Sequence, residues 1–93
     1  MIEKHLVLNE ADPAVFYGVN NTNMQLIKAL FPKLRIVARG NVIRIMGDDD
    51  ETARLEQAVL KLEKYCSKYN SLKEEVIVDI VNGEEPGGEK SSD

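Results

Sequence analysis

The chain has 93 residues, with 12 Lys and Arg against 16 Asp and Glu, a net charge of −4 and a pI near 5.0. This length allows one domain with a modest core, and the composition is that of a globular protein. No apolar run is long enough to span a bilayer, the N-terminus lacks a signal-peptide pattern, and the single cysteine cannot form an internal disulfide. We therefore expect a cytoplasmic protein.

Positive charge is concentrated in one part of this acidic chain. Residues 13–47 contain no Asp or Glu, whereas acidic residues are frequent on both sides. The basic residues within this stretch are Lys28, Lys33, Arg35, Arg39 and Arg44. We therefore expect the domain to contact its partner through residues 13–47.

The first predicted element is a short strand. Residues 3–9 alternate in polarity, which places Leu6 and Leu8 on one face and His5 and Val7 on the other. His5 has no neighbouring metal ligand or base in sequence, so an exposed strand histidine is the favoured interpretation.

A short helix is predicted to follow. Asp12 is suited to be its N-cap and Pro13 its first residue. The helix is expected to run to about Tyr17, where Gly18 ends it. The sequence Gly18-Val19-Asn20-Asn21 then forms a tight connection.

A second helix is predicted to begin at Thr22, because Thr22 and Gln25 have the spacing of a capping box. Pro32 ends this helix after Phe31. Its core-facing residues are expected to be Met24, Ile27, Leu30 and Phe31.

Residues 34–46 are predicted to form a hairpin around Gly40-Asn41, a two-residue turn. Alternation then fixes two faces, one apolar and one basic. The apolar face holds Leu34, Ile36, Ala38, Ile43 and Ile45, and the other holds Arg35, Val37, Arg39, Val42, Arg44 and Met46. A slip of one residue would bury three arginines, so the pairing of Arg39 with Val42 should be firm.

The longest helix is predicted to begin at the acidic run of residues 48–51. This run lacks the interleaved glycine and distal Glu of a calcium loop, so we interpret it as charge that complements the helix N-terminus. One apolar stripe follows, formed by Leu55, Val59, Leu62, Cys66 and Tyr69. Cys66 is accordingly predicted to be a packed thiol, and no metal site is expected.

Residues 72–81 carry two conflicting signals. Ser71 and Glu74 have capping-box spacing and Gly83 supplies a stop, which favour a helix. The alternating β-branched run from Val76 to Val81 favours a strand. We predict the helix.

Residues 83–93 contain no apolar side chain beyond Pro86 and are expected to be a disordered linker after a domain of residues 1–82.

The predicted order β-α-α-β-β-α, with a short C-terminal helix, is similar to that of the KH module. The fold class predicted for this chain is α+β, with a three-stranded antiparallel sheet and helices packed on one face of it. In that module a GXXG loop between two helices clamps the backbone of single-stranded nucleic acid. Gly18-Val19-Asn20-Asn21 occupies the corresponding place, with Asn21 in the position of the second glycine.

Residues 16–47 resemble the N-terminal region of PhoH-like proteins, and the resemblance extends over roughly residues 1–82. Those proteins are cytoplasmic bacterial P-loop ATPases named for induction on phosphate starvation. The resemblance implies that this chain is an accessory fragment whose parent binds ATP and Mg²⁺ through a downstream ATPase domain. The chain itself has no G-x-x-x-x-G-K-[ST] motif, so we expect no cofactor, no metal and no catalysis here.

Two functions remain open from the sequence. The first is binding of single-stranded RNA, with contacts from Gly18, Val19, Asn20, Asn21, Lys28 and Lys33. The second is docking to the ATPase domain or homo-oligomerisation, for which Arg35, Arg39 and Arg44 form an alternative basic face. No membrane contact is expected.

Overall fold

The computed structural model describes residues 1–83, so the predicted linker lies outside the described residues except for Gly83. The predicted element order, including the C-terminal helix, is confirmed. The elements are β1 (Ile2–Val7), α1 (Pro13–Tyr17), α2 (Thr22–Leu30), β2 (Arg35–Arg39), β3 (Val42–Gly47), α3 (Asp49–Tyr69) and α4 (Glu74–Val81). A single 3₁₀ turn, Val19–Asn21, connects α1 to α2.

The three strands form one antiparallel sheet in the order β1-β3-β2. The predicted hairpin register is confirmed: Arg39 pairs with Val42 across the turn, and Ile36 pairs with Ile45. On the other side of β3, β1 continues the same rows, with His5 opposite Arg44. Because β3 is the central strand, each of its paired side chains has a cross-strand neighbour, and most have one in β1 and one in β2.

The sheet separates apolar from charged side chains as alternation predicts. Ile36, Ile43 and Ile45 are buried on the inner face, whereas Arg35, Arg39 and Arg44 are exposed on the outer face. One residue of the predicted apolar face is less buried than expected. Ala38 is only half-buried, because it lies near the hairpin tip on an edge strand, where the helices cover less of the sheet.

The helices pack on the inner face and complete the core. The largest fully buried apolar side chains are Phe16, Ile27, Phe31, Ile43, Ile45, Leu55, Leu62 and Ile77. Residues 74–81 form a helix, not a strand, because a helix places Val76, Ile77 and Ile80 on one buried face. Val78 and Asp79 are then directed away from that core.

Both predicted capping boxes are wrong. Thr22 already has helical angles, and the N-cap of α2 is Asn21 in the left-handed conformation. At the other position, α4 begins at Glu74 with Lys73 as N-cap. The chain stays extended up to Lys73 because Leu72 must enter the core, where its side chain is buried.

The long helix α3 is fastened to the first part of the chain by two polar contacts. The Lys4 Nζ donates to Glu56 Oε1 at 2.9 Å, and this hydrogen bond raises the pKa of Lys4 above its usual value. Glu63 is buried, and its Oε2 accepts a hydrogen bond from the Glu10 backbone N–H at 2.8 Å. These contacts position the connection between β1 and α1.

The apolar stripe of α3 is shorter than predicted. Leu55, Val59, Leu62 and Cys66 are buried, but Tyr69 is 55% exposed and packs beside Tyr65. A helix of 21 residues is about 31 Å long, whereas a strand of six residues spans about 20 Å. The last turn of α3 therefore extends past the sheet.

Replacing Ile45 with Ala should lower the free energy of unfolding by about 2–5 kcal/mol, because it leaves a cavity at a fully buried site of the central strand. Val42→Ala on the outer face of the same strand is the matched control and should cost about 1 kcal/mol or less. Urea denaturation followed by circular dichroism measures both values. Equal losses would contradict the assignment of the two faces.

Candidate nucleic-acid interface

The connection between α1 and α2 begins at a position that requires glycine. The Asp12 side chain accepts a hydrogen bond from the Ala14 N–H at 2.9 Å and starts α1, as predicted. Gly18 ends the helix with φ +85°, and its N–H donates to the Ala14 carbonyl at 3.1 Å. A Cβ there would lie 3.0 Å from the side chains of Thr22 and Asn23, so both the backbone conformation and the close packing favour glycine.

Two asparagines shape the rest of this connection. Asn20 has φ 58° and Asn21 has φ 61°, the left-handed conformation that Asn tolerates better than most residues. Val19, Asn20 and Asn21 are all exposed, and Val19 is 81% exposed. The four residues Gly18–Asn21, called the GVNN loop below, therefore project into solvent.

The GVNN loop presents the N-terminus of α2. Within the described chain, Asn21 makes no side-chain capping hydrogen bond, and the Thr22 N–H donates to the Val19 carbonyl. The first turn of a helix carries unpaired N–H groups and the positive end of the helix dipole. Such an end can accept an anion from outside the protein.

A buried amide holds the GVNN loop in place. Asn23 is 4% exposed, and its Nδ2 donates to the carbonyl of Phe16 at 3.2 Å and to the carbonyl of Leu72 at 2.9 Å. It thereby joins the end of α1, the start of α2 and the connection before α4. Asn23 is not among the residues predicted from the sequence; the signal that could have identified it is an Asn beside Met24 on an otherwise apolar helix face.

Two further structural features adjoin the loop. The Tyr17 hydroxyl, just before the loop, donates to the Gly40 carbonyl at 2.8 Å, which links the end of α1 to the hairpin turn. Burial raises the pKa of the Tyr17 hydroxyl above its usual value. The loop also borders an open groove of about 450 Å³, lined by Gly18, Thr22 and residues 70–72.

The two predicted lysines are exposed and continue from the loop along α2. Lys28 is seven residues after Asn21, which corresponds to about 10 Å along the helix axis. It is also about 140° around the helix from the buried Asn23, so it does not face the Asn23–Leu72 contact. Lys33 follows α2, in the connection to β2. The structure thus distributes the two lysines over α2 and the connection that follows it, rather than placing them in one cluster with the loop.

The three arginines occupy a different surface. Arg35, Arg39 and Arg44 are on the outer face of the sheet, opposite the helices. Arg44 Nε lies 3.4 Å from Glu3 Oε2, and His5 Nε2 is 2.9 Å from the same oxygen. The GVNN loop and the arginines are therefore two separate candidate surfaces.

The remaining chemical groups of the described chain are built into the core. Cys66 is 1% exposed, and burial raises the pKa of its thiol, with further contributions from the carboxylates of Asp12 and Glu63. A neutral thiol is a poor nucleophile.

Residues 1–83 contain no group of three or more His, Cys, Asp or Glu placed to hold a metal ion. None of the helices in this range is long and apolar enough to cross a membrane.

Comparisons with known proteins give no match: no protein-family model, no curated protein and no solved structure matches the chain.

Replacing Asn23 with Ala should lower the free energy of unfolding by about 1–3 kcal/mol, because two buried carbonyls lose their donor. Asn23→Asp should cost at least as much, since a carboxylate of the same shape cannot donate. The exposed Gln25→Ala on the same helix is the control. Thermal and urea unfolding measure the three values, and a loss for Gln25→Ala as large as for Asn23→Ala would contradict the proposed role of the amide.

Proposed function

We propose that this chain is the KH-like N-terminal accessory domain of a PhoH-like protein and that it binds single-stranded RNA. The support is the likeness of residues 16–47 to that family, together with the β-α-α-β-β-α order and the place of the GVNN loop between α1 and α2. The observation that carries the proposal is the exposed loop at the N-terminus of α2, which lacks a side-chain cap in the described chain.

The charges around the loop suit a phosphate backbone. Between residues 13 and 47 there is no carboxylate, so the loop and the whole of α2 carry no local negative charge. One phosphate binds at the first-turn N–H groups of α2, and the ammonium groups of Lys28 and Lys33 contact phosphates further along the RNA strand. Asn20 and Asn21 add amide donors without adding charge.

This site can engage only a few phosphates. With about two or three contacts, the logarithm of the binding constant should fall with the logarithm of salt concentration with a slope of about −1.4 to −2.1. RNA binding by the domain is therefore weak. The domain is non-catalytic, and its role is to present an RNA strand to the ATPase domain of the parent protein, which binds ATP and Mg²⁺.

Changing both Asn20 and Asn21 to Asp should abolish binding of single-stranded RNA while preserving the fold. Asp tolerates left-handed angles, and negative charge at a helix N-terminus is favourable, but it repels phosphate. The measurement is a titration of labelled decauridylate at low ionic strength, followed by amide shifts, with oligothymidylate in parallel.

The matched control introduces the same two negative charges elsewhere. Ala53→Glu with Gln57→Glu changes two exposed positions of α3 and should leave binding nearly unchanged. Shifts confined to Arg35, Arg39 and Arg44 would move the site to the sheet. Absence of shifts at residues 18–33 and elsewhere would contradict RNA binding by this domain.

The chain by itself should not hydrolyse ATP. Phosphoryl transfer needs a phosphate cradle, a bound metal and a positioned nucleophile, and the sequence encodes no P-loop. Release of phosphate from ATP by the purified chain with Mg²⁺ is the measurement. Turnover that survives a change of purification route would contradict this prediction.

A further inference from the structure

The outer face of the sheet combines arginines with exposed or half-buried aliphatic side chains. Arg39 and Arg44 alternate with Val37 and Val42 in two cross-strand rows, and His5 completes one of these rows. We call these five residues the arginine–valine face. They line one open depression of about 470 Å³. The proposed RNA site lies elsewhere, so the following inference does not depend on it.

The register sets the spacing of groups on this face. Val37 is the Cα partner of Arg44, and Arg39 is the Cα partner of Val42, so each arginine has a valine directly opposite. The two arginines are diagonal neighbours, with backbones about 7–8 Å apart. Two positive groups therefore flank a small apolar surface, which extends to the exposed Val7 beside Val42.

The electrostatics favour carboxylates as the complementary groups. An Arg guanidinium pairs with a carboxylate through two parallel hydrogen bonds, and such pairs are stronger than neutral ones. Within the described chain the carboxylate of Glu3 borders this face, and its oxygen lies 3.4 Å from Arg44 Nε and 2.9 Å from His5 Nε2. Glu3 thus shows that a carboxylate can be accommodated here, although its contact with Arg44 is long.

The apolar content favours a protein over a nucleic acid. Proteins that bind single strands on a sheet use aromatic side chains as stacking platforms. The outward residues of the three described strands include no Phe, Tyr or Trp; they are Glu3, His5, Val7, Arg35, Val37, Arg39, Val42, Arg44 and Met46. Arg and Met beside aliphatic residues are instead typical of protein interfaces.

We infer that the arginine–valine face is a docking site for a protein partner, bound through an acidic segment that also carries aliphatic side chains. Carboxylates of the segment pair with Arg39 and Arg44, and its aliphatic side chains cover Val37 and Val42. Glu3 competes with the partner for Arg44. Removing the Glu3 charge should therefore strengthen binding, whereas removing the arginine charges should weaken it.

The probe is the synthetic hexapeptide Glu-Leu-Glu-Leu-Glu-Leu with blocked ends, titrated into the isotope-labelled full chain. Amide shifts are expected at His5, residues 37–39 and residues 42–44. The Arg39→Glu and Arg44→Glu double variant should bind at least about tenfold more weakly. Glu3→Gln should bind severalfold more tightly, and a Gln-Leu peptide of the same length should not bind.

The charge-matched control is the double variant Lys61→Glu with Lys64→Glu, at exposed positions of α3. It changes the net charge by the same amount and should alter the affinity by less than about twofold. If the Arg39/Arg44 reversal unfolds the chain, Arg39→Gln with Arg44→Gln removes the charges without adding repulsion and should still weaken binding severalfold. The Asn20/Asn21 variant proposed for RNA should bind the peptide normally.

Four results would overturn the inference. The first is absence of peptide-induced shifts on this face, and the second is an equal loss of affinity in the lysine control. The third is a shift of these residues by decauridylate but not by the peptide, which would assign the face to nucleic acid. The fourth is a concentration-dependent shift of the free chain at the same residues, which would assign the face to a second copy.

Discussion

Burial of Ile36, Ile43 and Ile45 on one side of the sheet is the constraint on which the rest of the structure depends. Side chains alternate along a strand, so this burial fixes the register and directs the arginines to the opposite face. The helices must then cover the isoleucine face. Within residues 1–83 no helix covers the outer face, and Arg35, Arg39, Val42 and Arg44 are exposed there.

The helical layer is organised by a smaller number of polar contacts. Asn23 joins the end of α1 to the connection before α4, and the Tyr17 hydroxyl joins α1 to the hairpin turn. These bonds tie the residue before the GVNN loop to the hairpin turn and a residue after it to the α3–α4 connection. The loop is exposed, but the residues on both sides of it are anchored, which suits a site that must keep backbone N–H groups in position.

The two candidate surfaces differ in the physics of recognition. The GVNN loop offers backbone donors and a helix dipole, which suit phosphate and depend strongly on salt. The arginine–valine face offers guanidinium groups beside apolar area, which suits carboxylates with aliphatic neighbours. A chain with a net charge of −4 can bind acidic partners only where its positive charge is segregated, and residues 13–47 supply the GVNN loop and both arginines of the arginine–valine face.

Local pattern was enough to determine the element order up to α3, the hairpin register, the Asp12 cap and the stop at Gly18 from the sequence alone, because each depends on neighbouring residues or on strict alternation. The expected caps at Thr22 and Ser71 were wrong because tertiary packing overrides a local hydrogen bond: Leu72 enters the core and Asn21 takes the left-handed position. Only the tertiary structure could reveal the amide of Asn23 bonded to Leu72, 49 residues away, and the Tyr17 hydroxyl bonded to Gly40, 23 residues away. Contacts between residues so distant in sequence leave no local pattern, since their partners meet only after the core has formed.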